Sequence, residues 1–339
     1  MRRDYHYSGA MAGRRTNLGL LAAMTAAFAT GVAAYALGTG WNRWATLTHA
    51  IAGFAIVLLA PWKSVVARRG LRRRRAGTST SILLMAVVLI SLAFGIMHSW
   101  GVWNLGFLTA MQLHVGTALV AIPLAIWHLV ARPQKLHRSD LTRRNFLRTG
   151  AVVAGGGAIV IATEGTIKAL DLLGARRRFT GSHERGSFDP DAFPVTQWLN
   201  DRVPEVEVGS WRLRVGGRAW SWAELDALAE EIDATLDCTG GWYSRQRWTG
   251  VRLDRLLRDR EGASLAVSSL TGYGRRFAVA EARRLWVATR VGGGELASGH
   301  GYPARLVAPG RRGFWWVKWL DRIELSDVPA WRQWPFPPT

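Results

Sequence analysis

The stretch S-I-L-L-M-A-V-V-L-I-S-L-A-F-G-I-M-H-S-W (Ser81–Trp100) decides the fold of the first half of this chain of 339 residues. It contains no Asp, Glu, Lys or Arg. A helix of about 20 apolar residues, rising about 1.5 Å per residue, crosses the hydrocarbon core of a bilayer. Runs of similar character precede and follow it, so residues 1–138 are predicted to form a four-helix membrane domain. The four predicted spans are Asn17–Gly38, Trp44–Trp62, Ser81–Trp100 and Gly106–Ala131.

Charge is divided unevenly along the chain. The formal net charge is +20, yet residues 1–178 hold 22 basic and 4 acidic side chains, whereas residues 179–339 hold 22 and 20. A hydrophobic content of 49% excludes an intrinsically disordered chain, which lacks the apolar residues for a core. The single cysteine excludes an intramolecular disulfide and a multi-cysteine zinc or iron–sulfur site.

The basic residues between the spans predict their orientation, since Lys and Arg are retained on the cytoplasmic side of a membrane. Residues 63–80 hold seven basic side chains and no acidic one, and residues 132–148 hold six and one. The opposite turns, 38–43 and 101–105, hold one basic residue between them. The N-terminus is therefore predicted inside. Topology accounts for most of the positive charge of this half, and no nucleic-acid binding is expected.

Histidines inside the predicted spans indicate a haem, because ionisable side chains are costly in a bilayer and imidazole is an axial ligand of haem iron. His49 and His114 lie roughly 9 and 12 Å from the outer ends of their spans, so we expect them to share one outer haem b. His98, nearer the outer end, is the reserve ligand or a partner of a haem propionate. His128, about 21 Å beyond His114 along the helix, leaves a second haem open. This half resembles the four-helix membrane cytochromes b.

The segment T-R-R-N-F-L-R-T-G (Thr142–Gly150) resembles a twin-arginine export signal, which is an address read by a receptor. Arg143 and Arg144 carry the resemblance, followed by a glycine-rich, moderately apolar run. The alternative is the basic cytoplasmic flank of a fifth helix, and both interpretations can hold together. Residues 139–178 are thus expected to contain this motif and a fifth membrane segment, about 151–173. That segment is expected to stay as an anchor, with the following domain outside the cytoplasmic membrane, in the periplasm or its equivalent.

From about Phe179 onward, short apolar alternations and turns replace the long apolar runs. Trp211–Gly217 predicts a strand entering a turn, and Ser221–Leu228 predicts a capped helix start. Ala234–Tyr243 predicts a strand that delivers Cys238 to a glycine-containing loop. The predicted fold class is therefore an α-helical membrane bundle followed by a strand-rich α+β domain over residues 179–339.

The second half contains four notable blocks, which are L-D-C-T-G-G-W-Y-S-R-Q-R-W-T-G-V-R-L-D-R-L-L (Leu236–Leu257), S-L-T-G-Y (Ser269–Tyr273), H-G-Y-P-A-R-L-V-A-P-G (His300–Gly310) and G-F-W-W-V-K-W-L-D-R-I-E-L (Gly313–Leu325). In this order they resemble the molybdopterin-binding domain of the sulfite oxidase family. The first block continues with W-T-G-V-R-L and has no Arg-Arg pair directly after the cysteine. In both features it looks nearer to the bacterial periplasmic methionine sulfoxide reductase group than to animal sulfite oxidase. The resemblance implies a sulfite-oxidase-like fold, a molybdenum–molybdopterin cofactor and oxidoreductase activity.

The same resemblance implies roles for individual residues. Cys238 is the expected molybdenum ligand, and a soft metal does take a thiolate. Trp242 and Tyr243, just past the cysteine, are expected to line the substrate mouth. Arg305 and Lys318 match basic positions that contact the pterin phosphate. The other expected cofactor contacts are Thr196 and Gln197, which stand where sulfite oxidases show R-N-H, together with Ser269, His300, Gly313 and Phe314.

Together these features predict a membrane-anchored molybdenum oxidoreductase. It would move an oxygen atom to or from a small oxyanion, sulfoxide or N-oxide. Its haem domain would exchange electrons with quinone or another redox carrier. A reductase fed from the quinone pool is favoured over an oxidase, and sulfite is disfavoured by the missing arginine pair. The alternative is a non-catalytic haem-containing membrane protein, for electron transfer or sensing, whose exported domain binds a ligand.

Overall fold

The computed structural model describes residues 2–72, 78–133, 137–198, 201–258 and 261–334. Residues 73–77 of the predicted cytoplasmic loop and residues 134–136 of the next basic segment therefore lie outside the described residues. The chain forms two compact units, Met1–Tyr35 with Gly40–Gly181 and Ala36–Thr39 with Ser182–Thr339. The main division between them, after Gly181, lies three residues beyond the predicted one.

The first unit contains five long helices, and all five are long and apolar enough to cross a membrane. A two-stranded hairpin joins the third helix to the fourth. Four spans were expected in this domain, with a separate fifth segment; in the structure the fifth helix packs against the second. The elements are α1 (Arg2–Ala36), α2 (Asn42–Arg72), α3 (Thr78–Trp100), β1 (Asn104–Leu105), β2 (Leu108–Thr109), α4 (Ala110–Ala131) and α5 (Arg143–Ala169).

Helix α5 begins eight residues before the predicted segment because a capping residue precedes the two arginines. The Thr142 hydroxyl accepts a hydrogen bond from the Asn145 N–H at 3.4 Å, which satisfies one free donor of the first turn. Arg143 and Arg144 therefore lie in the first turn of α5. The helix then continues through the glycine-rich run, whose small residues allow another helix to approach closely.

The contact between α5 and α2 is a close backbone approach at Gly156. A Cβ added at Gly156 would lie 2.8 Å from the Ile51 carbonyl oxygen and 3.5 Å from the Ala55 nitrogen. Further along the same helix, Val160 and Ile167 are buried. Helix α5 is therefore integrated into the helical unit.

The chain that leaves α5 is fixed to the end of α3 by Arg177. Its guanidinium pairs with Glu164 of α5 and donates at 2.8 Å to the carbonyl oxygens of Ser99 and Gly174. Gly174 packs so closely on Ser99 that a Cβ there would lie 2.0 Å from the Ser99 carbonyl oxygen. The exit from α5 is thus a defined, hydrogen-bonded structure.

The second unit is built from two antiparallel-rich sheets and two short helices. The elements are β3 (His183–Glu184), β4 (Leu213–Val215), β5 (Arg218–Trp220), α6 (Trp222–Ala227), β6 (Glu230–Cys238), β7 (Trp242–Arg252), α7 (Leu253–Leu256), β8 (Ser264–Ser269), β9 (Gly274–Phe277), β10 (Trp286–Val291), β11 (Gly294–Glu295), β12 (Arg305–Val307) and β13 (Leu320–Ser326). One sheet has the order β11-β10-β7-β3, with β12 beside β10 and β6 beside β7; the other has the order β5-β4-β13-β8-β9.

Local sequence patterns explain several of these elements. Leu213 and Val215 of β4 are buried while Arg214 between them is exposed, because successive side chains of a strand point to opposite faces. The Ser221 side chain caps α6 in a reciprocal pair with Glu224, as the capping-box pattern predicts. These predictions of a strand and a capped helix are confirmed.

The hairpin of β6 and β7 positions the functional region. The two strands pair antiparallel over nine residues of β6, with Cys238 directly opposite Trp242. The turn contains Gly241 at φ +89°, a backbone conformation that favours glycine. Strand pairing along the whole hairpin therefore determines where the only thiol of the chain lies.

Replacing Gly156 by Ala tests the packing of α5. The new methyl group would clash with the Ile51 carbonyl, and such overpacking costs about 1–3 kcal/mol, so we expect the melting temperature of the detergent-solubilised protein to fall by several degrees. Gly157→Ala is the matched control, because a Cβ there meets no atom within 4 Å. Equal melting temperatures for the two variants would show that α5 does not pack on α2 as described.

Candidate functional site

Cys238 ends β6 with its side chain at a cleft and its backbone in the sheet. The residue is 7% exposed. Its sulfur accepts a hydrogen bond from the Gly240 N–H at 3.3 Å, and the Thr196 hydroxyl also bonds to the thiol. Burial raises the pKa of the Cys238 thiol, while these hydrogen bonds and the nearby charges of Arg312 and Lys318 act in the opposite direction.

The cleft around this thiol is narrow, with a volume of about 70 Å³, and is lined largely by aromatic and basic side chains. The described residues that line it are Pro194, Thr196, Gln197, Trp198, Asp201, Leu236, Cys238, Thr239, Trp242, Tyr273, His300, Arg305, Gly313, Phe314, Trp316 and Lys318.

Three basic side chains line this cleft, and burial lowers the pKa of each one. Burial lowers the pKa of Arg305 to about 9. Burial, followed by the charge of Arg305, lowers the pKa of Lys318 to about 7. Burial, with the charges of Arg305 and Lys318, lowers the pKa of His300 to about 3. Asp201 is the one carboxylate among the described residues that line the cleft.

The strand and loop segments around the cleft hold these bases in place. Arg305 is 1% exposed and donates from Nη1 to the His300 carbonyl at 2.9 Å. The His300 ring stacks on Phe193, with ring centroids 3.8 Å apart. Lys318 donates from Nζ to three oxygens, which belong to the Thr196 carbonyl at 2.9 Å, the Gln197 side chain at 3.0 Å and the Gly299 carbonyl at 2.6 Å.

These residues fit a cofactor that offers a metal and an anionic group. The buried Nε of Arg305 has no hydrogen-bond partner among the residues that the structure describes, which is costly unless a ligand accepts from it. Bound anionic oxygens would also offset the burial of the Arg305 and Lys318 charges. The thiol supplies one soft ligand, whereas no cluster of three or more His, Cys, Asp or Glu side chains occurs in the described part of the chain. A metal here would therefore need most of its ligands from a cofactor.

Most of the residues expected at the cofactor meet at this cleft. Cys238, Trp242, Thr196 and Gln197 all line it, and the Thr196 hydroxyl accepts from the Trp242 indole N–H at 3.1 Å. The remaining expected residues that line it are His300, Arg305, Gly313, Phe314 and Lys318.

Two expected residues do not line the cleft. Tyr243 follows Trp242 on β7, and because side chains of a strand alternate between faces, only Trp242 points into the cleft. Ser269 ends β8, where its hydroxyl lies 3.1 Å from the Thr271 hydroxyl and accepts from the Thr271 N–H at 3.3 Å. Its polar group is therefore used within its own turn.

Sequence reasoning missed other lining residues, above all Trp198, Tyr273 and Trp316. Trp198 packs against Tyr273 and Phe314, with ring centroids 6.4 and 5.9 Å apart. Tyr273 and Trp316 belong to blocks that resemble the family, and Trp198 directly follows the expected cofactor contact Gln197, which was the available signal. Aromatic residues are usual in cores, so the pattern alone did not separate lining from packing.

In the helical unit, the structure brings His49 and His114 together. Their ring centroids are 5.7 Å apart with the ring planes at 80°. His49 donates from Nδ1 to the Ala27 carbonyl at 2.8 Å, and His114 donates from Nδ1 to the Ser91 carbonyl at 2.8 Å. A neutral imidazole that donates from Nδ1 keeps its lone pair on Nε2, so both rings are prepared as metal ligands.

The other two histidines of this unit contact different groups. His98 is 4% exposed and donates from Nε2 to the Gly181 carbonyl at 3.0 Å. His128, at the far end of α4, has its Nδ1 3.1 Å from the Ser81 hydroxyl. The structure therefore pairs the two histidines that were expected to share a haem and places neither His98 nor His128 with them.

Comparison with known proteins agrees with the composition of the cleft. Residues 200–334 match the family model described as the oxidoreductase molybdopterin binding domain. Sulfite oxidase of Gallus gallus is 31% identical over 177 residues, which cover 39% of this chain and 38% of that protein. Mitochondrial sulfite oxidase of Rattus norvegicus is 28% identical over 176 residues, with 39% and 32% covered. NADPH nitrate reductase of Mycosarcoma maydis is 41% identical over 69 residues, 20% of this chain and 7% of that protein.

The chain thus spans at most 38% of the length of these relatives. Among solved structures, the sulfane dehydrogenase SoxCD from Paracoccus pantotrophus is 24% identical with a TM-score of 0.35, covering 37% of this chain and 40% of that one. The family match covers most of the strand-rich unit and includes Cys238 and the lining residues of its cleft from Asp201 onward. Residues 200–334 of this chain therefore match an oxidoreductase molybdopterin-binding domain, and the chain is similar in sequence to sulfite oxidases.

Proposed function

We propose that the whole protein is a membrane-anchored molybdenum–molybdopterin oxidoreductase with its own haem b electron-transfer domain. The observation that carries this proposal is the placement of the only thiol at the edge of a cleft that also buries Arg305 and Lys318. When bound, the molybdenum cofactor supplies exchange of an oxygen atom coupled to transfer of two electrons. We propose a small oxyanion, sulfoxide or N-oxide as the substrate, as the sequence suggested.

The residues of the chain divide this work between them. Cys238 would hold the metal through its sulfur, which the Gly240 N–H orients. Arg305 and Lys318 would hold the anionic end of the pterin, where both fixed donors and positive charge are needed. Trp242, with its indole N–H bonded to Thr196, forms a fixed wall beside the sulfur and would limit the approach of substrate. The aromatic lining also excludes water from the reacting centre.

The haem proposal rests on the paired imidazoles of His49 and His114. Both Nδ1 atoms are bonded to backbone carbonyls, which orients the rings and leaves Nε2 for iron. Glycines accompany both rings: a Cβ at Gly31 would lie 3.1 Å from His49 Cε1, and one at Gly95 would lie 3.0 Å from His114 Nδ1. We therefore propose one haem on this pair, which exchanges electrons with a quinone or another carrier. Additional haem ligation by His128 remains a proposal from the sequence only.

The proposed location is the cytoplasmic membrane, with the strand-rich domain on the outer side. The basic loops support this orientation, as does the twin-arginine resemblance at the start of α5. Arg176–Arg178 would then lie outside, against the usual bias. All three have local contacts, since Arg177 pairs with Glu164, Arg176 pairs with Asp171 at 3.3 Å, and the Arg178 guanidinium lies 5.2 Å from the centroid of the Phe179 ring. The export route and the retention of α5 in the mature protein are part of this proposal.

Replacement of Cys238 tests metal binding directly. We expect Cys238→Ser to lower the molybdenum content of the purified protein by about ten-fold or more, because loss of a direct ligand should cost at least as much as loss of the groups that orient one. Molybdenum per chain is measured by elemental analysis. Tyr243→Phe is the matched control, since Tyr243 neighbours the site but does not line the cleft. A wild-type protein without molybdenum would instead favour the non-catalytic alternative.

The depressed pKa of Lys318 predicts a pH dependence of stability. Its pKa in the folded, cofactor-free protein is about 7, against an ordinary value of 10.5. Between these two pH values the unfolded chain binds more protons, so the contribution of Lys318 to the free energy of unfolding rises with pH. We expect Lys318→Met to be more stable than wild type near pH 7, with a difference that shrinks as pH approaches 10.5.

Thermal unfolding of both proteins, followed by tryptophan fluorescence across this pH range, measures the difference. With the cofactor bound the pH dependence should become weaker, because an anion beside Lys318 keeps it protonated. Parallel stability curves for wild type and Lys318→Met would contradict the burial of this charge.

The haem is tested by the reduced-minus-oxidised absorption spectrum of the membranes. We expect the double variant His49→Ala with His114→Ala to lose the b-type absorption, since both axial ligands of the proposed iron are removed. His98→Ala is the control and should keep it, because His98 contacts Gly181 and not the paired rings. Full absorption in the double variant would overturn the ligand assignment.

A further inference from the structure

A buried ion pair lies directly behind Cys238. Asp237 precedes the cysteine on β6 and forms an isolated parallel bridge with Arg312, and their side chains pair with only 6% and 4% exposed. From this geometry we propose that Arg312, Asp237 and Ser182 form a positioning network that aims the Cys238 sulfur into the cleft. This inference rests on the proposed role of Cys238 as the molybdenum ligand.

The guanidinium of Arg312 divides its donors between two tasks. Nη1 donates to the Asp237 carboxylate and to the Ser182 hydroxyl at 3.2 Å, while the Ser182 hydroxyl donates to the same carboxylate at 2.7 Å. Nη2 donates to the Cys238 carbonyl at 3.1 Å. The bonds to Asp237 and Ser182 fix the guanidinium of Arg312. The bond from Nη2 then holds the backbone carbonyl of Cys238 in a defined position.

The residue after Arg312 holds Cys238 from the same side. A Cβ added at Gly313 would lie 3.1 Å from the Cys238 Cα, so the two backbones are in close contact. On the other side, the Gly241 N–H donates to the Cys238 carbonyl at 3.2 Å and the Gly240 N–H donates to the sulfur. The carbonyl, Cα and sulfur of Cys238 each have a fixed neighbour, which leaves little freedom for the sulfur to turn away from the cleft.

Stability alone does not account for this pair. Removing two charges from water is unfavourable, and a buried ion pair can often be replaced by apolar residues without loss of stability. An apolar pair, however, has no donor for the Cys238 carbonyl. Removing a group that orients a metal ligand commonly lowers metal affinity by roughly ten- to a hundred-fold. The network provides that orientation to a site with a single protein ligand.

Another Arg–Asp pair in the same domain serves for comparison. Arg290 and Asp226 form two hydrogen bonds, at 2.7 and 3.0 Å, and their side chains are 30% and 25% exposed. Neither residue lines the cleft. Replacing this pair changes one ion pair in the same domain without touching the backbone of Cys238.

The test compares two variants of the full chain that alter Arg312. The control is the double variant Asp226→Leu with Arg290→Met. Arg312→Lys keeps the positive charge beside Asp237, but one ammonium group lacks the fork that reaches both Asp237 and the Cys238 carbonyl. Asp237→Leu with Arg312→Met replaces the buried charges by apolar side chains, so that no unpaired charge remains. The readouts are the rate of molybdenum loss, the paramagnetic resonance spectrum of half-reduced molybdenum, and amide hydrogen exchange at Gly240 and Gly241 in cofactor-free protein.

We expect both variants at position 312 to lose molybdenum about ten-fold faster than wild type and to show an altered or heterogeneous resonance spectrum. In the cofactor-free protein, amide exchange at Gly240 and Gly241 should become about ten-fold faster, because the carbonyl and sulfur that accept from them are less well held. The Asp226–Arg290 control should match wild type in all three measurements, whatever its melting temperature.

Wild-type molybdenum retention, spectrum and amide exchange in Arg312→Lys would overturn the inference, even if the apolar double variant fails to fold. The amide exchange also separates this inference from the proposed function. If wild type holds no molybdenum, the oxidoreductase proposal fails, whereas faster exchange in Arg312→Lys would still show that the network positions Cys238. If wild type holds molybdenum and none of the three readouts changes, only the positioning role fails.

Discussion

Positive charge that is buried without an equal number of carboxylates is the constraint on which the strand-rich domain depends. Arg305 is almost completely buried, Lys318 is partly buried, and Asp201 is the one acidic side chain among the described residues that line their cleft. The lowered pKa values of both bases express the cost of this arrangement. An anionic ligand would offset this cost, and the same residues lie in the part of the chain that matches a molybdopterin-binding domain.

The hairpin of β6 and β7 converts this charged cleft into a site for a metal. Strand pairing over nearly the whole of β6 fixes the end of the strand, so Cys238 and Trp242 face the cleft from opposite sides of one tight turn. Arg312, from a distant part of the chain, donates a hydrogen bond to the Cys238 carbonyl, and Gly313 packs closely against the Cys238 backbone. Local pairing brings the sulfur to the cleft, and long-range contacts direct it.

The helical unit follows a similar principle, in which the backbone orients the side chains that carry the chemistry. The rings of His49 and His114 are held by carbonyls of Ala27 and Ser91, which lie on neighbouring helices. In a helix most carbonyls are already paired within the helix, so a second hydrogen bond from an imidazole adds orientation without breaking the helix. The paired rings support the proposal of one haem, and α5 belongs to the unit that holds them.

The sequence by itself determined the two kinds of structure in this chain, because long uncharged runs and short alternating runs have different burial requirements. It also singled out Cys238, the basic residues of the cleft and the His49–His114 pair, since thiolate, guanidinium and imidazole have chemistry that few other side chains share. Only the tertiary structure decided that α5 packs with the other helices, which depends on a backbone approach at Gly156 that composition does not reveal. It likewise separated Trp242 from Tyr243, left Ser269 outside the cleft and brought Arg312 to Cys238 from 74 residues away. Such contacts join residues far apart in the chain, and their geometry arises from the packing of whole sheets and helices rather than from any local pattern.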